Sequence, residues 1–237
     1  MVYYAPSTRE AAAADPAARR IRGVVFDMDG TLTVPITEYL RQMRRELQVP
    51  DGVRILDYID MRLEGERRAW AHRRVLEIEA EAMQGMELSP GLVALLQFLH
   101  ANDVRTAIIT RNNRAALDHF VNNVVARQPP EHRPFFSFDP LLDRSFAPTK
   151  PAPDGLLHIS RQWGIAPEHL MMVGDHGDDL LCGIRAGSVA ALLRYSDNRA
   201  FEPKAHVVVD RIDGLVAVLA AGFEADMAID GDDTVGV

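Results

Sequence analysis

The sequence is short of cysteine, of surplus positive charge and of long apolar runs, and each shortage excludes a class of protein. Cys182 is the single cysteine among 237 residues, so an internal disulfide and a zinc site built from several thiolates are excluded. Acidic residues outnumber basic ones by 34 to 26, which leaves no long-range positive field for a nucleic acid. No apolar run approaches the roughly 20 residues of a membrane-spanning helix. We therefore expect neither a nucleic-acid partner nor a membrane span.

The overall composition is that of a folded globular protein. Hydrophobic residues make up 47% and charged residues 25% of the chain, and this length suits one domain that carries a smaller insertion. Residues 1–20 are rich in alanine and lack an apolar signal core, so they predict a flexible leader. Residues 223–237 are acidic and predict a frayed tail. The low cysteine content favours a reducing compartment, either the cytoplasm or an organelle stroma or matrix, while the oligomeric state leaves no mark on the sequence.

Short apolar segments alternate with helical patterns along most of the chain, which is typical of an α/β protein with a mostly parallel sheet covered on both faces. Residues 35–88 interrupt this alternation with helical periodicity alone and predict a small α-helical cap. The core then comprises residues 21–34 and 89–222. The predicted strands that matter for the site are Gly23–Asp27, Val104–Thr110 and Leu170–Gly174.

Polar side chains follow these three strands where each one ends. Asp27 and Asp29 follow the first strand, Thr110 closes the second and Asp175 follows the third. Because ligands bind at the carboxyl ends of parallel strands, we expect these residues to converge in one crevice. Lys150, on a loop that leads into a helix, can supply a positive charge there.

A cluster of carboxylates at one sheet edge suits a hard cation such as Mg²⁺. A carboxylate can attack phosphorus when a cation and a lysine offset the repulsion between the two anions. The same residues taken singly also have plain structural uses, since Asp-Gly is a common turn pair. Their joint occurrence favours the chemical interpretation.

Four segments occur in the order typical of one enzyme superfamily. They are Asp27-Met-Asp-Gly-Thr-Leu-Thr33, Thr110, Lys150-Pro, and Gly174-Asp-His-Gly-Asp-Asp179 with the following Arg185-Ala-Gly187. This set resembles the motifs of the haloacid dehalogenase superfamily of hydrolases, specifically its phosphatases with a small helical cap, and the resemblance extends over residues 21–221. It implies a Rossmann-like, doubly wound core, an α-helical cap inserted after the first strand, and a phosphoaspartyl intermediate.

The resemblance also implies a role for each site residue. Asp27 would be the nucleophile, and Asp29 would protonate the leaving alcohol and later activate water. Lys150 would stabilise the pentavalent phosphorus. The phosphoryl oxygens would be held by Thr110 and the backbone amides of Arg111 and Asn112. The Mg²⁺ ligands would be Asp27, the backbone carbonyl of Asp29, and Asp175, with Asp179 as an outer or auxiliary ligand.

Two positions refine this interpretation. A carboxyl group at Asp29 favours phosphate esters, because dehalogenases that resemble this pattern lack an acid there. His176 stands where such phosphatases commonly have serine, so its role stays open. We expect a Mg²⁺-dependent phosphatase that acts on a small phosphorylated metabolite. The alternatives are a phosphomutase or phosphotransferase of the same family, and a regulatory module that binds phosphate without turnover. Sugar phosphates, phosphoglycolate-like acids and nucleotides are all open as substrates.

Overall fold

The protein is built around a six-stranded parallel sheet with helices on both faces. A computed structural model describes residues 1–35 and 37–228. The strands are β1 (Val2–Tyr4), β2 (Gly23–Phe26), β3 (Arg105–Ile109), β4 (Phe138–Leu142), β5 (Leu170–Gly174), β6 (Val189–Leu193), β7 (Val207–Val209) and β8 (Phe223–Ala225). The helices are α1 (Arg9–Ala14), α2 (Thr37–Leu47), α3 (Ile55–Arg62), α4 (Gly65–Gln84), α5 (Leu92–Ala101), α6 (Arg114–His119), α7 (Asp154–Trp163), α8 (Gly177–Arg185) and α9 (Gly214–Ala221).

The order of the strands places the first core strand at the centre of the sheet. The order is β4-β3-β2-β5-β6-β7, and every neighbouring pair is parallel. All residues of β2, β5 and β6 are buried, as expected for central strands that are covered on both faces. The predicted α/β fold is confirmed. Because β3 and β5 flank β2, the loops that follow these three strands lie side by side.

Two apolar layers enclose the sheet. On one face, Phe26 and Ile108 pack with side chains of α5 and α9, including Leu95 and Leu215. On the other face, Val25 and Ala107 pack with α7 and α8, including Leu156, Trp163 and Cys182. These layers hold the strand ends in fixed positions and provide the rigid support that a catalytic site needs.

Helices α2 to α4 lie between β2 and α5 in the sequence and form their own small apolar cluster. Met43, Leu47, Ile59, Val75 and Ile78 are buried in this cluster. Helices occupy the stretch in which the sequence predicted a cap, although Ile36 lies outside the described residues. The division of the chain at residues 35 and 88 stays a prediction.

The N-terminal segment differs from the predicted flexible leader. Strand β1 pairs in antiparallel fashion with β8, and Tyr4 is fully buried, with its ring stacked on Phe223 at 4.9 Å between centroids. Residues 2–4 therefore do not form a flexible leader, while the division of the chain at residue 20 stays a prediction. The stabilising partner is more than 200 residues away in the sequence, so a local pattern could not reveal it. Phe223–Ala225 of the predicted frayed tail form strand β8, and residues 229–237 lie outside the described part of the chain.

Two local elements complete the core. The edge strand β4 lies within the stretch 128–148. Helix α6 ends at His119, and the chain continues as a π-helical turn over Phe120–Val124. Within residues 1–35 and 37–228, no helix has the length and apolar character needed to cross a membrane.

Candidate active site

Asp27 is the first residue beyond β2, at the carboxyl edge of the sheet. Its backbone N–H donates a hydrogen bond of 2.9 Å to the carbonyl of Val173 on β5, which extends the sheet by one residue and fixes the backbone there. The residue is 8% exposed. The turn that follows depends on Gly30, which has a φ of +80°. The Asp175 carboxylate lies so close to Gly30 that a Cβ atom at this position would overlap the carboxylate. A glycine at position 30 therefore permits the Asp175 carboxylate to approach the turn after β2.

Lys150 lies between two carboxylates of this site. The residue is 3% exposed, and its Nζ lies 2.5 Å from Asp27 Oδ1 and 2.6 Å from Asp179 Oδ1. A buried ammonium group with two charged partners is a strong electrostatic arrangement, because the low local polarity strengthens each contact. Lys150 thus joins the loop before α7 to the end of β2 and to the first turn of α8.

Three carboxylates form a group that can hold a metal ion. Asp27, Asp175 and Asp179 each offer one oxygen, and these oxygens lie within 4.8 Å of one another. When ionised they carry three negative charges against the single positive charge of Lys150, so the donor set and its charge both fit a hard divalent cation such as Mg²⁺. The predicted participation of the Asp29 backbone carbonyl stays a prediction.

Burial and mutual repulsion raise the pKa values of these acids. The pKa of Asp27 is raised to about 7, first by burial and then by Asp179 and Asp29, against the lowering effect of Lys150. The pKa of Asp175 is raised to about 9 by burial and by the neighbouring carboxylates. Burial alone would lower the pKa of Lys150, but Asp179 and Asp27 outweigh it and raise that pKa. The cluster therefore holds excess negative charge poorly unless a cation offsets it.

Asp29 occupies a different environment from that of Asp27. Its Oδ2 accepts a 3.1 Å hydrogen bond from Asn112 Nδ2, while its Oδ1 is buried and has no partner among the described residues. Burial raises the pKa of Asp29, opposed by the Asn112 hydrogen bond and by Lys150 and reinforced by Glu79. A partly buried acid with a raised pKa is suited to carry a proton and to give it to a leaving group.

The loop after β3 brings the predicted phosphate-binding residues to this site, with a division of roles that the sequence did not reveal. The Asn112 backbone N–H donates 2.9 Å to Thr110 Oγ1, so this amide is used within the loop, whereas the Asn112 side chain orients Asp29. Phosphate binding by Thr110 and by the amides of Arg111 and Asn112 stays a prediction.

Asp178 links helix α8 to both the cap and the core. Its carboxylate accepts hydrogen bonds from Arg111 at 2.5 Å and from Arg54, in the loop between α2 and α3, at 3.2 Å. The Asp178 side chain is only 13% exposed. The sequence gives no sign of these contacts, since no local pattern reveals two arginines that come from other elements.

Glu79 of α4 makes a second connection between cap and core. It accepts a 2.8 Å hydrogen bond from Asn113 Nδ2 and a 3.2 Å hydrogen bond from Arg144. Asn113 and Arg144 follow β3 and β4, so α4 is fixed above the carboxyl edge of the sheet. The sequence gives no signal for this role of Glu79, because a charged residue on an amphipathic helix resembles any solvated position.

His176 is the N-cap of helix α8. This gives a structural role to the histidine that stands where similar phosphatases commonly have serine. Its Nδ1 accepts a 3.2 Å hydrogen bond from the backbone N–H of Asp178, and its own backbone N–H donates 3.1 Å to Asp179 Oδ2. The reciprocal pair is a capping box, an arrangement that a serine at the same place also makes. His176 therefore fixes the turn that presents Asp179.

Comparisons with known proteins agree with this geometry. Residues 21–187 match the family model of haloacid dehalogenase-like hydrolases. A haloacid dehalogenase-like hydrolase domain-containing protein of Arabidopsis thaliana is 37% identical, and the match covers 75% of this chain and 72% of that protein. Phosphoglycolate phosphatase 1 of Pseudomonas aeruginosa is 29% identical, and the match covers 94% of this chain and 88% of that protein.

Solved structures share the fold. The CbbY protein of Rhodobacter sphaeroides, solved with xylulose 1,5-bisphosphate, superposes with a TM-score of 0.64 at 21% identity, and the match covers 82% of this chain and 96% of that one. The order of the motifs, the parallel sheet and the extent of the family match lead to one conclusion: the chain belongs to the haloacid dehalogenase-like hydrolases.

Proposed function

We propose that the protein is a Mg²⁺-dependent phosphatase that hydrolyses a small phosphomonoester through a phosphoryl group carried on Asp27. The observation that carries this proposal is the position of Lys150, held between Asp27 and Asp179 beside the carboxylate of Asp175. A phosphatase among its relatives supports the choice of a phosphate ester. The carboxyl group of Asp29, bound to Asn112, supports it as well, because an alkoxide leaving group needs a proton.

The first half of the proposed reaction transfers the phosphoryl group to the protein. A carboxylate oxygen of Asp27 forms a bond to phosphorus while the bond between phosphorus and the ester oxygen breaks. The proton of Asp29 passes to that ester oxygen, so the alcohol leaves neutral. The ammonium group of Lys150 offsets the negative charge of the attacking carboxylate.

The second half returns the protein to its starting state. Asp29, now ionised, accepts a proton from a water molecule whose oxygen attacks phosphorus, and the bond from phosphorus to Asp27 breaks. Inorganic phosphate leaves, and Asp29 again carries a proton. Asn112 holds the Asp29 carboxyl group in one orientation through both steps.

The metal would be held by Asp27, Asp175 and Asp179, which supply the only group of three or more such ligands found among the described residues. When bound, Mg²⁺ supplies positive charge that draws a phosphate ester into an otherwise negative site. The cap would exclude water other than the attacking molecule, with Arg54 and Glu79 fixing its closed position.

The direct experiment is hydrolysis of p-nitrophenyl phosphate with Mg²⁺ by the native protein, by Asp27→Asn and by the matched control Asp118→Asn. Asp118 is an exposed acid on α6 that pairs with Arg114. We expect a loss of about a thousandfold or more for Asp27→Asn and native activity for Asp118→Asn. Equal activity in the native protein and Asp27→Asn would show that Asp27 is not the nucleophile.

Measurement of products distinguishes the proposed hydrolysis from phosphoryl transfer. A phosphatase releases one inorganic phosphate for each alcohol, with or without added acceptor alcohols. A phosphomutase or phosphotransferase would release less phosphate than alcohol when an acceptor is present. Absence of turnover across a panel of phosphorylated metabolites would favour a regulatory module instead.

A further inference from the structure

A cavity lies at the edge of the sheet opposite the carboxylate cluster. It has a volume of about 460 Å³ and opens where β2 and β3 begin. One wall is the N-terminal segment, with Thr8, Arg9 and Arg20, and the facing wall is the start of β3. Its volume falls in the range of small-molecule sites, and it shares no lining residue with the candidate active site.

The N-terminal wall is fixed to the core by specific contacts. Arg9 binds both carboxylate oxygens of Asp103, at 2.5 and 2.6 Å, and its backbone N–H donates 3.0 Å to Asn102 Oδ1. Ser7 Oγ accepts a 3.2 Å hydrogen bond from the backbone N–H of Ile21. The match to the family begins at residue 21, so this wall is a feature of the present chain that the family model does not describe.

The cavity is positively charged on a protein that is negative overall. Its lining residues include four arginines, at positions 9, 20, 22 and 105, and one acid, Asp103, which gives a balance of 4 − 1 = +3. The whole chain has a net charge of −8. Asp103 forms an ion pair with Arg9. Within the described residues, neither Arg22 nor Arg105 makes an ion pair. The charge of the cavity therefore favours an anion.

Arg20 provides an independent observation. It is 5% exposed, its Nη2 donates to the carbonyl of Asp15, and its Nε lies 3.4 Å from the carbonyl of Ala18. Its Nη1 is buried, and no atom of the described residues accepts a hydrogen bond from it. A buried guanidinium without a carboxylate partner is unfavourable, and an anion at the adjoining cavity would offset its charge.

Apolar side chains complete the lining. Four largely buried apolar side chains line this cavity: Ile21, Val104, Trp163 and Ile165. We propose that the cavity binds a small organic anion, with its phosphate or carboxylate group at the arginines and its apolar part against these side chains. The site would act separately from catalysis, and it does not depend on the proposed phosphatase activity.

Phenylphosphonate is a suitable probe because it carries an anionic phosphonate group and an apolar ring and is not hydrolysed. The experiment is calorimetric titration into full-length protein that has been stripped of metal with EDTA and then dialysed to remove the chelator, so that the carboxylate cluster at the other edge repels the probe. We expect a single site. The double variant Arg22→Gln/Arg105→Gln, which changes two exposed side chains, should weaken binding by about tenfold or more.

Matched controls separate a specific site from general charge. The double variant Arg62→Gln/Arg73→Gln removes the same charge from exposed positions of the cap and should bind like the native protein. Equal weakening in both double variants, or no native binding at about 10 mM probe, would overturn the proposal.

Methylphosphonate should bind more weakly than phenylphosphonate, and equal affinity would overturn the apolar part of the assignment. Comparison with benzoate distinguishes a phosphate preference from a carboxylate preference. Because the assay measures no turnover, its failure would leave the phosphatase proposal untouched.

Discussion

Within residues 1–35 and 37–228, one buried cation lies at each edge of the parallel sheet, and the two cations have opposite surroundings. At the carboxyl edge, Lys150 contacts two carboxylates, Asp27 and Asp179, at 2.5 and 2.6 Å. At the amino edge, Arg20 bonds only to backbone carbonyls among the described residues, and one of its NH₂ groups has no acceptor there.

The difference shows how one fold can treat anions in two ways. The carboxyl edge has more acids than bases, so it needs a cation before an anionic substrate can approach, and in return it can hold a carboxylate in position to attack. The amino edge has more bases than acids and suits an anion without a metal. Chemistry is therefore expected at one edge and binding alone at the other.

Of the tests of this difference between the two edges, the largest effect should come from replacing each buried cation by glutamine in turn. Lys150→Gln should reduce kcat by about 100- to 1,000-fold, because the charge beside Asp27 is lost. Arg20→Gln should leave kcat within about twofold and reduce the free energy of unfolding by about 1–3 kcal/mol, because it disturbs bonds to two backbone carbonyls. Steady-state kinetics and denaturant unfolding check both variants. A large kcat loss for Arg20→Gln would show that the amino edge also contributes to catalysis, against the difference drawn here between the two edges.

A smaller loss is expected when the turn after β2 is crowded. Gly30→Ala should lower kcat by about 100-fold, because the new Cβ would displace the Asp175 carboxylate. Gly164→Ala is the matched control: Gly164 also has a positive φ, of +64°, but no atom lies within 4 Å of an added Cβ. Both changes strain the backbone, so stability should fall in both, while only the first should affect turnover. Similar kcat values would refute the role of Gly30 in seating Asp175.

The stability of the metal-free protein should decrease as the pH rises. The pKa of Asp27 is raised from 3.8 to about 7 and that of Asp175 from 3.8 to about 9, so the folded state holds these protons more tightly than the unfolded state. Their contribution is fully present below pH 3.8 and is lost as the pH approaches 9. The raised pKa of Lys150 acts only above 10.5 and does not alter this window.

Thermal unfolding with and without Mg²⁺ measures this effect. The Tm of the metal-free protein should fall by several degrees between about pH 5 and pH 8.5, and Mg²⁺ should raise the Tm more at the higher pH, since it binds ionised carboxylates. Asp175→Asn should show a flatter pH profile. A Tm gain from Mg²⁺ that is the same at both pH values would argue against the cluster as the metal site.

The mildest effect should come from loosening the cap. Asp178→Asn weakens the contacts to Arg54 and Arg111 and should raise KM about three- to tenfold with little change in kcat, because closure of the cap becomes less favourable. Asp60→Asn is the control, since Asp60 pairs with Arg68 and His72 inside the cap. An unchanged KM in Asp178→Asn would show that this contact does not hold the cap closed.

Much of the core was predictable because its signals are local. The apolar runs at β2, β5 and β6 reveal buried strands, and parallel strands bring their carboxyl ends together. Asp27, Asp175 and Asp179 consequently lie in one cluster although about 150 residues separate the first from the others. Lys150 could be placed there only because its motif, in combination with the others, resembles a known family.

The remaining features depend on contacts between distant segments. The pairing of β1 with β8 joins the two ends of the described chain. The Asn112 side chain reaches Asp29 because two loops meet, and Glu79 contacts Asn113 because α4 lies above the sheet. A hydrophobic pattern gives no information on such pairs, since each partner alone resembles an ordinary surface residue.

The most direct test of the central claim is a rapid acid quench of turnover, with a phosphomonoester that carries a labelled phosphoryl group, followed by peptide mapping. We predict a hydroxylamine-sensitive phosphoryl group on the peptide that contains Asp27, absent from Asp27→Asn. Full turnover without any protein-bound phosphoryl group, or a label on a different peptide, would contradict the account.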